Sequence, residues 1–318
     1  MIKLTSLVIL ASTIFGLLLY HVVYPYNGDF DYRDNSGLLL RWSRPFQSCT
    51  IDTFGDRVPG RTPFLGTDKN GKDLAYRVSV GLGRNFWLAL TSSVVFLFFA
   101  IIFGVLIGFE QRDISKSFYQ IMKQNKGIRQ VIVELDILQS IARIIVQTLH
   151  AIPLLLLLLV IVVIANKIFE DPLLRMLVIM VGIGILSLPK LALLIKDRIR
   201  LLDDEEFIAA ARASGLSDIN IITKHILWYD CGPIIAGQVI YVFVQSIMLE
   251  TVISFLGYGL GIGIDRITIG GLINQFKNDL PGSYSGDLLA LLPITILMLV
   301  AITGNGFTNI FMGSRYER

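Results

Sequence analysis

Residues 206–227 read EFIAAARASGLSDINIITKHIL, a polar, alanine-rich stretch set between two long apolar runs. Asp203, Asp204, Glu205 and Glu206 suit the start of a helix, where the macrodipole places partial positive charge. Ala209, Ala210, Ala211, Ala213 and Ser214 then make a thin helix with a smooth surface. Gly215 can end it in the left-handed conformation, and Ser217 can cap a second helix over 218–227. A short helix–turn–helix is expected. Two purposes are open for it: an ordinary amphipathic hairpin between apolar segments, or a thin element that fits a groove on another protein.

The flanking runs set the fold class. The chain has 318 residues, 53% of them hydrophobic and 17% charged, with a mean hydropathy of +0.65. Soluble domains carry about 25% charged residues, so this composition describes an integral membrane protein. Six stretches approach the roughly 20 apolar residues that a span needs: 4–24, 86–109, 137–165, 173–195, 233–256 and 288–311. The expected fold is therefore an all-α integral membrane protein with six transmembrane helices. The first run is longer than the roughly 7–15-residue apolar region of a secretory signal, and it is read as a retained helix.

Orientation follows from Lys and Arg, which collect on cytoplasmic loops. With the N-terminus inside, fifteen basic residues lie on inner segments and four on the two short outer loops. The outer segment 25–85 carries nine more, but long loops cross largely regardless of charge. Both termini are expected in the cytoplasm. The net charge of +3 makes no case for nucleic acid. Cys49 and Cys231 fall on opposite sides in this topology and suggest neither a disulfide nor a metal site.

The chain then divides into a first transmembrane helix (1–24), an extracytoplasmic segment (25–85) and a five-helix core (86–318) holding the polar loop at about 200–227. Segment 25–85 shows no helical period until Lys72. Segment 111–135 places Ile114, Phe118, Ile121 and Met122 among basic residues, which fits a helix at the membrane surface or an ordinary loop helix. Gly104 and Gly108 form a GxxxG pair that lets two helices approach closely. Pro153 and Pro189 are expected near helix ends.

Few motifs carry chemistry. GTDKNGKD (66–73) fits the start of a phosphate-binding loop, but Asp73 stands where a Ser or Thr must ligate magnesium. No buried strand precedes it, so it reads as a turn through Gly71 into a helix, with Asp73 and Arg77 paired at i,i+4. GYGLGIG (257–263) has the wrong spacing for a dinucleotide fingerprint and reads as a flexible exit from the fifth span. His21, His150 and His225 are scattered and make no ligand set, and no catalytic constellation appears. The chain is expected to be no enzyme, with no cofactor or metal of its own. Glu250, with Gln245 one turn and more before it, lies in the fifth span, where a carboxylate is expensive. It either lines a substrate path or holds helix ends together.

With these residues in view, AAARASG (209–215) and HILW…GP (225–233) resemble the EAA loop of permease subunits in bacterial ABC importers. The family pattern of Glu-Ala-Ala, three residues, then Gly falls on Ala209, Ala210, Ala211 and Gly215. More narrowly, the chain is similar to the C-type permease of oligopeptide, dipeptide and nickel importers. GTDKNGKDLAYRVSVGLGRN (66–85), DILQSIARIIVQTLHAIPLLLLL (136–158), ETVISFLGYG (250–259) and GNGF (304–307) fall in matching order. Three positions depart from the pattern: Ala209 replaces the family glutamate, Trp228 replaces a proline, and Asn305 and Asn309 stand where acidic residues are usual. Segment 111–135 looks like an insertion.

The resemblance implies ATP-driven uptake across a bacterial cytoplasmic (inner) membrane. A second homologous permease would complete the path, and one or two cytoplasmic ATPase subunits would use ATP and magnesium. An extracytoplasmic substrate-binding protein would deliver the solute, with peptides the leading class and nickel open. Glu205, Glu206, Ala209, Ala210, Ala211, Arg212, Gly215, Ser217 and Asp218 would form the loop that couples to the ATPase. Gly66, Thr67, Asp68, Gly71 and Asp73 would form the extracytoplasmic family motif. Two rivals stand beside this reading. A stand-alone secondary transporter or channel would need paired intramembrane charges or an inverted repeat. A permease-like scaffold with lost coupling would explain Ala209 and Trp228.

Overall fold

The longest helix, α1 (Leu74–Glu110, 37 residues), starts well before the apolar run at 86. Asp73 starts it there: its Oδ1 accepts the backbone N–H groups of Ala75 at 2.8 Å and Tyr76 at 3.3 Å, which a helix start otherwise leaves unpaired. Among the described residues the other α-helices are α2 (Lys126–Ala151), α3 (Leu154–Ile168), α4 (Pro172–Asp203), α5 (Glu206–Ala213), α6 (Gly232–Ile253), α7 (Ile269–Lys277) and α8 (Leu292–Gly313). Wider π-helical turns occupy Ile221–Asp230 and Ser254–Tyr258. The computed structural model describes residues 31–33, 50–53, 56–59, 63, 65–68, 70–110, 126–203, 205–216, 220–260, 266–277 and 292–313, with Gly16.

The chain is mostly helical, but the all-helical expectation needs one correction. β1 (Asp31–Arg33), β2 (Thr50–Thr53) and β3 (Asp56–Pro59) form an antiparallel sheet in the order β1-β2-β3. Ile51 stands opposite both Tyr32 and Val58, a row of β-branched and aromatic residues that suits a pleated surface.

Among the described residues, three helical stretches are long and apolar enough to cross a membrane: Leu74–Gly108, Pro172–Asp203 and Gly232–Tyr258. The single span expected over 137–165 is instead a pair, Ile137–Ala151 and Leu154–Ile168, bent by 99°. Pro153 causes the break, since its ring excludes the residue before it from helical backbone and it supplies no N–H. With 15 residues, α3 rises only about 22 Å, short of the roughly 30 Å hydrocarbon core. Pro189 was expected near a helix end but sits inside α4, where it removes one ladder hydrogen bond. The run 4–24, apart from a helical Gly16, lies outside the described residues, as do Ile114, Phe118, Ile121 and Met122.

The chain packs as two compact units, Met1–Leu90 with Val162–Met180 and Phe243–Phe307, and Thr91–Ile161 with Val181–Val242 and Thr308–Arg318. The first is centred on Leu74, Val78 and Leu82 of α1, Leu272 and Phe276 of α7, and Ile296 of α8. The second is centred on Phe96, Ala100 and Ile107 of α1 and on Leu188, Leu191, Ala192, Ile195 and Ile199 of α4. That α4 spacing is one helical face. The GxxxG pair serves this second core: a Cβ at Gly104 would stand 2.9 Å from Ile195 Cβ and 3.1 Å from the Ala192 carbonyl oxygen, and Gly108 faces Ile199. Large apolar side chains also face outward, with Trp87, Phe98 and Ile144 each 60% exposed or more, as expected where the surround is lipid.

Candidate functional site

The polar stretch that opened the sequence folds as α5 and a tight turn. Asp203 was expected to begin this helix but ends α4 instead. Asp203 then forms an ion pair with Arg212, nine residues on, which ties the two helix ends together. Glu205 takes the capping position with extended backbone (φ −74°, ψ 141°) and makes no side-chain cap. Glu206 lies in the first turn, with its charge at the favourable end of the dipole.

Ile208 is the one buried residue of α5, so it anchors the helix while Ala209 and Ala210 stay exposed and Ala211 packs partly inward. Gly215 closes the helix in the left-handed region at φ +86°. Its N–H donates to Arg212 O at 3.0 Å and Leu216 N–H to Ala211 O at 3.2 Å, pairing carbonyls that the helix end leaves open. Ser217 and Asp218 lie outside the described residues. The expected α-helix over 218–227 is corrected to the π-helical Ile221–Asp230. Its Ile221, Ile222 and Ile226 are buried, whereas Trp228 and Tyr229 are 78% and 68% exposed. His225 stacks on Tyr229. The result is a short helix anchored by Ile208 and tied by the Arg212–Asp203 ion pair, with Ala209 and Ala210 exposed. It can fit a concave neighbour closely.

The motif at 66–73 is a largely buried turn. Gly66 and Gly71 both have positive φ, at 80° and 70°, and Thr67 pairs with Asp73 as an antiparallel bridge. Asp68 Oδ1 accepts the N–H groups of Asn70 at 2.8 Å and Lys72 at 2.9 Å. Its Oδ2 receives Arg77, whose other terminal nitrogen donates to Gln275 Oε1 at 3.0 Å. The expected Asp73–Arg77 pairing is therefore wrong. Asp73 folds back on the first helical turn, which leaves Arg77 to Asp68. Burial pushes the Asp73 carboxyl above the ordinary carboxylate range, against the lowering effect of the Tyr76 and Ala75 N–H groups.

Glu250 is fully buried. Its carboxylate accepts Asn85 Nδ2 at 2.9 Å and Ser254 Oγ at 2.5 Å. Ser254 Oγ lies 3.5 Å from Thr268 Oγ1, which accepts the Gly271 N–H at 3.1 Å. Gly270 permits this approach, for a Cβ there would stand 2.6 Å from Thr251 Cα. Asn85 Oδ1, Gln275 Nε2 and Gln245 Oε1 are buried with no hydrogen-bond partner. The structure thus joins Glu250 to Asn85, Ser254 and Thr268, and leaves Gln245 apart from that cluster. Reading the sequence missed Asn85, Gln275 and Thr268. Their one signal is the placing of amide and hydroxyl residues at the edges of apolar runs. Among the described residues, no group of three or more His, Cys, Asp or Glu could hold a metal ion.

Known proteins match this chain over its helical part. Residues 133–312 fit the family described as the binding-protein-dependent transport system inner membrane component. A Brucella suis relative is 26% identical over 201 residues, 63% of this chain, and the chain spans only 57% of that relative's length. The oligopeptide transport system permease protein OppC of Lactococcus lactis subsp. cremoris is 23% identical over 308 residues, 96% of this chain and 87% of its own. By shape, the MetNI methionine ABC transporter in an inward-facing conformation gives a TM-score of 0.44 at 15% identity, covering 72% of this chain and 95% of that one. The family match takes in more than half of the chain, including α5, the Gly215 turn and Glu250 with Ser254 and Thr268, and the chain belongs to the family of binding-protein-dependent transport system inner membrane components.

Proposed function

We propose that this chain is the permease subunit of an ATP-driven importer, with peptides as its substrate class. Six transmembrane helices with both ends cytoplasmic, a second homologous permease completing the path, and an external binding protein delivering the solute belong to this reading. ATP and magnesium are used by one or two partner ATPases and not by this chain. The observation that carries the reading is α5: a short helix of exposed alanines, ended by a left-handed glycine and lying inside the family match. Such a helix seats in a cleft on a cytoplasmic ATPase, and ATP-driven closure then moves the attached helices between two rigid-body states. Peptides are supported by the printed name of the Lactococcus relative, which aligns over 96% of this chain.

The test is Ala209→Trp and Ala210→Trp, each on the exposed side of α5. Normal membrane insertion with loss of labelled-peptide uptake is expected, and unaltered uptake in both variants would overturn the coupling role. The scaffold reading draws on two observations, Ala209 in place of a glutamate and Trp228 standing 78% exposed. A mild-detergent pull-down from the native membrane separates the two readings, since a scaffold without coupling brings down no ATPase.

A further inference from the structure

Helix α4 carries a face that neither the coupling loop nor the buried polar clusters use. Lys190, Leu193, Leu194, Asp197, Arg198 and Leu201 fall at positions i, i+3, i+4, i+7, i+8 and i+11, which puts them on one side of the helix. They line a cavity of about 410 Å³, and His150, in the last turn of α2, completes it. Its lining combines three leucines with Lys190, Arg198 and His150. Lys190 is held from behind: its Nζ lies 4.7 Å above the Tyr241 ring centre and 3.4 Å from the Tyr241 hydroxyl, a cation–π arrangement. Arg198 stands 3.8 Å from Asp230 with its side chain still 36% exposed. All of these residues belong to the same compact unit.

A cavity lined by leucines and cations together matches one kind of occupant in a membrane. An acyl chain covers the leucines and a headgroup phosphate meets Lys190, Arg198 and the His150 ring. The place along the chain agrees, because the lining from Lys190 to Leu201 crosses the end, at about 195, of the apolar run expected to span. Basic pockets of this kind at the cytoplasmic ends of helices hold acidic lipid headgroups. We infer that the α4 face Lys190–Arg198, closed by His150, binds the headgroup of an anionic glycerophospholipid. Asp197 is the one acidic group of the lining, and it weakens this site instead of building it.

The test is native mass spectrometry of the full chain, purified with its natural companions, delipidated and then titrated with phosphatidylglycerol or phosphatidylcholine. Phosphatidylglycerol is expected to stay bound where phosphatidylcholine does not. Lys190→Gln and Arg198→Gln each weaken it about 5-fold, and the pair about 30-fold. Lys196→Gln with Arg200→Gln, on another side of α4, leaves binding unchanged. Asp197→Asn tightens binding about 5-fold, a gain that no misfolded variant can imitate. The inference is overturned by equal retention of both lipids, or by phosphatidylglycerol binding that ignores all three lining substitutions. Displacement of the lipid by inorganic phosphate alone would make this a free-anion site and overturn the lipid assignment. Absence of any lipid in the intact complex would show a protein neighbour on this face, with the same consequence.

Discussion

The amide of Asn85 donates a 2.9 Å hydrogen bond to the carboxylate of Glu250, 165 residues further along the chain. Both side chains are almost wholly buried, so this bond ties α1 to α6 where no water can replace either partner. A buried donor or acceptor that loses its partner costs about 1–3 kcal/mol. Glu250→Gln keeps an oxygen for Asn85 and turns a nitrogen toward Ser254, and is expected to preserve folding. Glu250→Leu orphans both neighbours and is expected to cost about 3 kcal/mol, read as a lowered midpoint of thermal unfolding in detergent. If Glu250→Gln folds normally yet loses uptake, the carboxylate serves the transport path and not the packing.

Arg77 bridges Asp68 and Gln275 with two different nitrogens of one guanidinium. Lysine offers a single charged point and cannot span both. Arg77→Lys is therefore expected to destabilise. Arg77→Met, which leaves Asp68 ionised in a site with no exposure, should cost about 3–5 kcal/mol. Adding Asp68→Asn to Arg77→Met should recover part of that loss in the same unfolding measurement. A double variant no better than the single would show that Arg77 acts through packing alone.

Gly104 and Gly108 look alike in sequence but differ in what they meet. A Cβ at 104 runs into Ile195 Cβ and the Ala192 backbone, whereas one at 108 meets chiefly the movable Cδ1 of Ile199. Gly104→Ala is expected to force α1 from α4 at about 1–3 kcal/mol. Gly108→Ala should cost less, and Ile199→Val should relieve it. Equal effects at the two sites would refute the contact asymmetry.

Asp73 gives a pH dependence with a definite sign. Its carboxyl is raised above 3.8 in the folded chain by burial, so folding favours the protonated form, and ionisation weighs on stability as pH rises through the folded value. Asp73→Asn keeps the oxygen that accepts the Ala75 and Tyr76 N–H groups. It is expected to match or exceed the parent near neutral pH, with the difference shrinking as the medium is acidified below the folded value. A difference that grows on acidification would show that the charge on Asp73 stabilises the helix start.

Some of this was legible beforehand because it is local. Gly71 and Gly215 were identified as turn residues from their neighbours, and both adopt positive φ. The fifth apolar run emerged at 233–256 against α6 and its π-turn at Gly232–Tyr258. Pro153 stands near a helix end as expected, but the single span over 137–165 was misread for the opposite reason. Hydropathy is continuous across it, and only backbone sterics record that one run is two helices. The strands β1–β3 were missed because strands of three or four residues carry too few side chains to show a period.

The sequence by itself determined that this is a membrane chain, which segments are apolar, where the polar helix–turn lies, and which family it joins. Those properties follow from side-chain chemistry summed over neighbouring positions. The tertiary structure alone decided that Arg77 turns to Asp68 and Gln275 instead of Asp73, and that Glu250 meets Asn85. It also decided that two cations and three leucines of α4 line one cavity with His150. Each of these depends on which groups are brought together after water is excluded, and a buried charge takes the partner that geometry supplies, however far along the chain that partner lies.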